Sequence, residues 1–230
     1  MYNTATLTQD QYDPGLRNYM ISIYNNMLFG LLLTGLTAFF ISTNAALMAF
    51  MWKTAFAWVV IFLPLVMSLG IMFLIDRISP TTARILFYTY AIAMGASLSL
   101  FFMIFTTSSI FQVFFITSAL FGTMSLYGYT TKRDLTSLGS FLMMGVIGLL
   151  LAGIVNIFLQ SAMMSFIISC VAVLVFTLLT AYDTQNIKDM YLHTQGIERD
   201  KLGILGALSL YMNFINIFIH LLQLIGEKQE

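Results

Sequence analysis

Apolar residues fill most of this chain in seven long stretches, each bounded by short polar segments. The stretches cover residues 19–42, 54–75, 85–106, 110–129, 138–159, 162–182 and 202–225. A helix of this length crosses a hydrocarbon core about 30 Å thick. Strands of a membrane barrel would be about half as long and would alternate polar with apolar residues, which these stretches do not do. The pattern therefore predicts an all-α fold, a bundle of seven transmembrane helices.

The polar segments between the stretches are short, so consecutive helices are predicted to run antiparallel. The longest of them, residues 183–201, is too short for a separate soluble domain. Residues 1–18 form a polar tail that lacks the basic start and short apolar core of a cleaved signal peptide. The predicted organisation is an amino-terminal tail of residues 1–18, a membrane domain of residues 19–225 and a carboxy-terminal tail of residues 226–230.

Composition agrees with a membrane protein and excludes other classes. Hydrophobic residues make up 59% of the chain and charged residues only 9%, against roughly 25% charged in an average soluble domain. A soluble enzyme, a disordered protein and a basic nucleic-acid binder are therefore excluded. The single cysteine, Cys170, excludes an intramolecular disulfide. Motifs of metalloproteases, P-loop proteins and serine hydrolases are absent from the sequence, so we predict no enzyme activity and no bound cofactor.

The distribution of basic residues predicts the orientation in the membrane. Eight lie on the side of the amino terminus, and the other side holds Lys53 and, if the seventh stretch crosses fully, Lys228. The positive-inside rule then puts the amino terminus and residues 183–201 in the cytoplasm. A re-entrant seventh stretch would move Lys228 to the cytoplasmic side, and the charge count leaves that alternative open.

One acidic residue is out of place beside the sixth stretch. Asp183 follows directly on its apolar end, with Thr180 three residues before and Asn186 three residues after, on one face of a continuing helix. The negative end of the helix dipole and partial burial both disfavour a charged carboxylate there. Two interpretations stay open, a functional acid and a solvated residue at the membrane interface.

The seventh stretch carries a stripe of polar residues. Asn213, Asn216, His220 and Gln223 are spaced by three, four and three residues, so they share one helical face. Four polar groups on a membrane helix face other helices or a wet cavity, which predicts that the last helix is central. The stripe fits interhelical hydrogen bonds, or a permeation or sensing path. His220 has no partner ligand at useful spacing, so no metal site is predicted from it.

Small residues predict where the helices pack closely, because membrane helices approach each other at such positions. Ala91, Gly95 and Ser99 follow one face of the third stretch, and Gly30 with Thr34 marks the first. The fifth stretch carries a similar series, residues 145, 148 and 152.

Two segments carry a resemblance to a known family. Residues 207–218, ALSLYMNFINIF, resemble the signature in the last helix of the Bax inhibitor-1 family, also called transmembrane Bax inhibitor motif proteins. Residues 181–188, AYDTQNIK, are similar to the end of the family's sixth helix. The similarity extends over nearly the whole chain and is strongest to bacterial YccA-like members.

The resemblance implies a fold and two activities. The fold is a seven-helix bundle with the last helix surrounded by the other six, in the inner (plasma) membrane of a bacterium. One activity is a pH-sensitive calcium leak through the bilayer. The other, for YccA-like members, is binding to and restraint of a membrane-anchored AAA protease. The polar amino-terminal tail is the segment that we expect the protease to contact. A membrane protein without transport activity is the third alternative.

The family's leak is tied to two aspartates that share a proton. The first matches Asp183, but Asn213 stands where the second falls. An amide cannot titrate, although it can donate a hydrogen bond to the Asp183 carboxylate, so the shared-proton mechanism is not available to this chain. The resemblance also implies that Arg77 matches the family's latch arginine. We expect Asp183, Asn213, Asn216, Asn186 and His220 to line an ion path or pH sensor.

Overall fold

In the computed structural model, which describes residues 14–229, the chain is a bundle of α-helices. A single turn of 3-10 helix, Ile75–Arg77, extends the third of them. The helices are α1 Pro14–Thr43, α2 Ala45–Lys53, α3 Phe56–Leu74, α4 Pro80–Leu98, α5 Phe101–Ile104, α6 Thr107–Thr130, α7 Thr136–Leu159, α8 Ala162–His193 and α9 Gly196–Ile225.

Seven segments in this described part are long and apolar enough to cross a membrane. They are α1, α3 with its 3-10 turn, α4 with α5, α6, α7, α8 and α9. The predicted all-α polytopic membrane fold is confirmed. The short helix α2 was not predicted, because its nine residues fall inside a segment interpreted as a loop. Its first turn is capped by the Asn44 side chain, which accepts hydrogen bonds from two backbone N–H groups.

Two helix ends differ from the predicted boundaries. The described part of α1 begins at Pro14, inside the predicted tail, and the fixed φ and missing N–H of proline suit a first helical position. The rest of the predicted tail, residues 1–13, lies outside the described residues. The helix α8 runs eleven residues past the apolar stretch to His193, so the predicted loop 183–201 shrinks to residues 194–195.

The extension of α8 depends on packing that hydropathy does not record. Thr184 and Ile187 are buried on one face of the polar segment. A Cβ added to Gly206 of α9 would lie 2.9 Å from Cγ1 of Ile187, so the two helices are in close contact there. The amphipathic face holds α8 helical beyond the apolar stretch.

The last helix, α9, is central, as predicted. Within its most apolar 18 residues 67% are buried, whereas the corresponding share of α7 is 6%. It packs mainly against α1, α4, α6 and α8, while α3 packs on α4 and α7 packs on α8. The expectation that all six other spans surround α9 is therefore wrong in detail, since two spans form an outer layer.

The last helix also crosses the bundle from end to end. Near its start, Lys201 Nζ donates to the carbonyl oxygen of Asp76, in the turn before α4. Past its end, Thr106 N donates to the oxygen of Glu227, and Gln229 N donates to the oxygen of Ile104, the last residue of α5. These two turns lie at opposite ends of the third span, so the re-entrant alternative does not hold. The described part of the predicted carboxy-terminal tail, residues 226–229, is docked on the bundle.

Small residues bring α1 and α4 together as predicted. Thr34 Oγ1 donates to the oxygen of Ala91 at 2.8 Å, and a Cβ on Gly95 would lie 2.5 Å from the oxygen of Thr34. The series in the fifth stretch is only partly in contact, because a Cβ on Gly145 would lie 3.4 Å from Cγ2 of Val175, whereas one on Gly148 would meet nothing within 4 Å. Close packing was therefore wrongly inferred at Gly148, since α7 lies at the edge of the bundle.

A proline in α3 is compensated by the neighbouring span. Pro64 has no N–H, so the carbonyl oxygen of Val60 loses its usual partner within the helix. The hydroxyl of Ser97, on α4, donates a hydrogen bond to that oxygen. Because no water competes inside a bilayer, an unsatisfied carbonyl there is costly, and Ser97 removes that cost.

Candidate functional site

The sequence-predicted acid and its amide partner meet between α8 and α9. These helices run antiparallel because the connection between them is only two residues long. Asn213 Nδ2 donates to Oδ2 of Asp183 at 2.7 Å, and the hydroxyl of Ser209 donates to the same oxygen at 2.5 Å. The amide of Asn213 is buried, with 4% of its surface exposed, and Asp183 is partly buried.

This position of Asp183 corrects one sequence-based argument. The residue lies within α8, ten residues before its end, and not at a helix terminus. The helix dipole acts within the last turn, so it does not bear on this carboxylate. Two neutral donors and partial burial define its surroundings instead, and the interpretation as a solvated interfacial residue does not fit them.

Ser209 was missed by the sequence analysis. A serine inside a helix is unremarkable, because its hydroxyl commonly bonds to a carbonyl of its own preceding turn. Its spacing was the available signal. Ser209 precedes Asn213 by four residues, so both side chains lie on the same face of α9 and reach one carboxylate oxygen.

The predicted polar stripe divides into separate groups. Asn216 donates from Nδ2 to the oxygen of Met212 at 2.8 Å, within its own helix. Farther along α9, Nδ1 of His220 lies 3.3 Å from Oγ of Ser169, and that hydroxyl donates to Oε1 of Gln223 at 2.9 Å. This second cluster is about 10 Å along the helix axis from Asn213. The stripe therefore serves two contacts with α8 at two depths.

Two other predicted site residues do not join Asp183. The side chain of Asn186 makes no hydrogen bond to it among residues 14–229, and the hydroxyl of Thr180 donates to the oxygen of Phe176 in its own helix. Arg77 is exposed in the 3-10 turn. No acidic group of the described chain lies within 4.0 Å of its guanidinium, so the latch role stays a prediction.

The residues that follow Asp183 fasten α8 to its neighbours. The hydroxyls of Thr184 and Ser125 are 3.1 Å apart, which joins α8 to α6. Gln185 accepts from the backbone of Leu135 and donates to the oxygen of Arg133, both at 2.8 Å, which holds the turn between α6 and α7. Asp183 thus sits on a segment fixed by interhelical hydrogen bonds.

Asp134 lies in that turn, outside the membrane spans. Its Oδ1 accepts from the backbone N of Thr136 at 2.9 Å. The side-chain and backbone hydrogen bonds of Thr136 lower the pKa of the Asp134 carboxyl below its usual range. This exposed acid therefore stays charged at neutral pH and accepts a hydrogen bond from the first residue of α7.

The site offers little to a tightly bound metal ion. In the part of the chain that the structure describes, no three His, Cys, Asp or Glu side chains come together. Asp183 is a lone carboxylate with amide and hydroxyl neighbours, whereas calcium sites supply 6–8 oxygen ligands and several carboxylates. The arrangement suits brief contact with a cation more than stable ligation.

These features define a class of protein: a polytopic all-α membrane protein whose central helix carries a carboxylate–amide contact. A family model described as "Inhibitor of apoptosis-promoting Bax1" matches residues 16–230. The chain belongs to the Bax inhibitor-1 family.

Relatives of the chain cover nearly its full length. An uncharacterised protein of Rickettsia prowazekii is 43% identical over 228 residues, covering 99% of this chain and 97% of the relative. The inner membrane protein YbhL of Escherichia coli is 39% identical over 221 residues, covering 94% of each chain. An uncharacterised protein of Caulobacter vibrioides is 42% identical over 230 residues, covering 95% of this chain and 92% of the relative.

Proposed function

We propose that this protein is a leak channel for cations, above all calcium, and that the Asp183 carboxylate binds the cation on its path through the protein. The carboxylate of Asp183, partly buried between α8 and α9 and bonded by neutral donors alone, supports the proposal. No Lys or Arg of the described chain forms an ion pair with it. A carboxylate at membrane depth without a basic partner attracts cations.

The neighbours of Asp183 suit passage of an ion. The carboxylate oxygens and the amide oxygen of Asn213 offer oxygen ligands, and Asn186 and Asn216 lie one turn away along α8 and α9. A leak needs a site that an ion enters and also leaves, so weak ligation favours conduction. The proposed role involves no catalysis and no resident cofactor.

The native chain has one titrating acid at this contact. Because Asn213 replaces the second aspartate that the resemblance implies, two carboxylates cannot share a proton here. We therefore expect little dependence of the leak on pH near neutrality, in contrast to the behaviour that the resemblance implies for the family.

The proposal is tested by calcium flux in proteoliposomes that contain only the purified protein. Asp183→Asn keeps the shape of the side chain but removes its charge, so we expect the flux to fall by about tenfold, which corresponds to about 1.4 kcal/mol of lost attraction. Asp189→Asn is the matched control, because Asp189 is an exposed acid farther along the same helix. Equal flux through all three proteins would contradict the proposal.

Restraint of a membrane-anchored AAA protease is the alternative function. The resemblance supports it, and residues 1–13 are the proposed contact. A deletion of residues 2–13 keeps every residue of α1 that the structure describes, Pro14–Thr43. We expect native protein to capture the protease from solubilised membranes and the deletion variant to lose it. Capture unaffected by the deletion would exclude the tail as the contact. If the native protein shows neither calcium flux nor capture of the protease, the third alternative, a membrane protein without transport, is favoured.

We propose a bacterial inner membrane as the location, with the amino terminus in the cytoplasm. The name of the Escherichia coli relative and the bias of basic residues support this. Labelling of single cysteines tests the orientation, since Cys170→Ala removes the only native one. An impermeant maleimide applied to intact cells should label Lys53→Cys and spare Lys132→Cys. The reverse pattern would contradict the orientation.

A further inference from the structure

The seam between α1 and α6 contains two cavities that the proposed leak does not use. They flank a hydrogen bond between the hydroxyls of Tyr24 on α1 and Ser125 on α6. One cavity, of about 550 Å³, lies towards the start of α1 and is named the Arg17 cavity after a residue that lines it. The other, of about 580 Å³, begins at Leu28 and is named the apolar groove.

The apolar groove opens sideways from the bundle and reaches the central helix. Its walls are almost wholly aliphatic and aromatic, and exposed side chains such as Leu32, Leu36 and Phe115 form its rim. Its floor includes Ile215 and Phe218 of α9. An apolar groove at membrane depth that is open to the side accepts a hydrocarbon chain more readily than a water-soluble ligand.

The Arg17 cavity has the opposite character at its outer end. Arg17, in the first turn of α1, and Tyr129, at the end of α6, both line it. Lys188 of α8 stands 5.7 Å from the centre of the Tyr129 ring. Among residues 14–229, no Asp or Glu lines this cavity. The mouth therefore carries positive charge at the level of a helix end, where lipid headgroups lie.

We propose that the α1–α6 seam binds one anionic phospholipid. Its phosphate pairs with Arg17 beside Tyr129, and an acyl chain follows α1 past Ile21 through the Arg17 cavity towards the apolar groove. Half of a hydrocarbon core about 30 Å thick corresponds to about ten helical residues. Ten residues from Arg17 lead to Met27, and the apolar groove begins at the next residue, Leu28, so the length of one leaflet covers the Arg17 cavity and brings the end of the acyl chain to the start of the groove.

Charge and shape together favour this occupant. Arginine binds a phosphate through paired N–H groups, and basic pockets between transmembrane helices recruit anionic headgroups. A free phosphate would leave the apolar walls of the Arg17 cavity, such as Ile21 and Phe121, uncovered. A zwitterionic lipid would cover these walls but would gain less from Arg17.

The test uses a tryptophan reporter inside the seam. The chain has two tryptophans, Trp52 and Trp58, which are first replaced by Phe. Phe121→Trp then places a reporter in the lining of the Arg17 cavity. Purified protein is reconstituted in mixed bilayers in which phosphatidylglycerol or phosphatidylcholine carries bromine on its acyl chains, and quenching of the reporter gives the relative affinity.

We expect brominated phosphatidylglycerol to be preferred by about fivefold, the factor that about 1 kcal/mol from one basic residue gives. Arg17→Gln should remove that preference. Arg84→Gln should retain it, because Arg84 is an exposed arginine at the same end of the bundle and does not line the cavity. If Phe121→Trp fails to fold, Ile21→Trp serves as the reporter in the same cavity.

Three results would overturn the proposal. Equal quenching by the two lipids would mean that any lipid fills the seam. A preference that survives Arg17→Gln would remove the assigned headgroup contact. No quenching in folded protein would mean that a protein segment or a second copy covers the seam. The assay measures binding alone, so its outcome does not depend on calcium flux.

Discussion

The Nδ2 of Asn213 lies 2.7 Å from Oδ2 of Asp183 and joins the central helix α9 to α8. Hydrogen bonds to a charged group contribute about 1.5–3 kcal/mol to stability. Asn213→Ala removes one of the two donors to this oxygen and should lower the free energy of unfolding by about that amount. Denaturant unfolding in micelles, followed by circular dichroism, measures the change.

Asn216→Ala is the control for that measurement, because its amide bonds only to the backbone of its own helix. We expect its effect to stay within about 0.5 kcal/mol. Equal losses in the two variants would mean that the Asp183 contact contributes nothing beyond the removal of an asparagine side chain from α9.

A second prediction concerns the carbonyl oxygen that Pro64 leaves without a helical partner. Ser97→Ala deprives the oxygen of Val60 of its donor, and we expect a loss of about 1–2 kcal/mol in the free energy of unfolding. In a Pro64→Ala background the alanine N–H replaces that donor, so Ser97→Ala should then cost much less. A loss of the same size in both backgrounds would show that Ser97 stabilises the bundle in another way.

A third prediction compares two glycines in different spans. Gly95→Ala puts a methyl group 2.5 Å from the oxygen of Thr34, so α1 and α4 must separate, and we expect a loss of about 1–3 kcal/mol. Gly148→Ala meets open space and should be neutral or stabilise the protein by up to about 1 kcal/mol through helix propensity. Thermal unfolding of the two variants checks the contrast, which similar melting temperatures would contradict.

Hydrophobic length alone predicted the seven spans, because the bilayer sets how much apolar chain a helix needs. The polar stripe predicted that α9 is central, since Asn213 and its neighbours cannot face lipid. Hydropathy ended α8 at Tyr182, however, because the following residues are polar. Their helix depends on the burial of Thr184 and Ile187 against other helices, which a local pattern does not record.

The site was predicted in part. Asp183 and Asn213 do meet, because the short turn between α8 and α9 brings their faces together. The contacts of Asn216 and His220 depend on which residues α8 offers opposite each of them, and spacing within α9 contains no such information. Ser169 and Ser209 were missed for the same reason, because each takes its role from the opposite helix.

The most direct test of the account is calcium flux through proteoliposomes from about pH 6 to about pH 8, for native protein, Asn213→Asp and Asn216→Asp. Asn213→Asp puts a second carboxylate beside Asp183, and two close carboxylates cannot both ionise cheaply, so its flux should depend steeply on pH. Native protein and Asn216→Asp should give nearly flat profiles. A steep native profile, or an unchanged one for Asn213→Asp, would contradict the claim that the Asp183–Asn213 contact controls the leak.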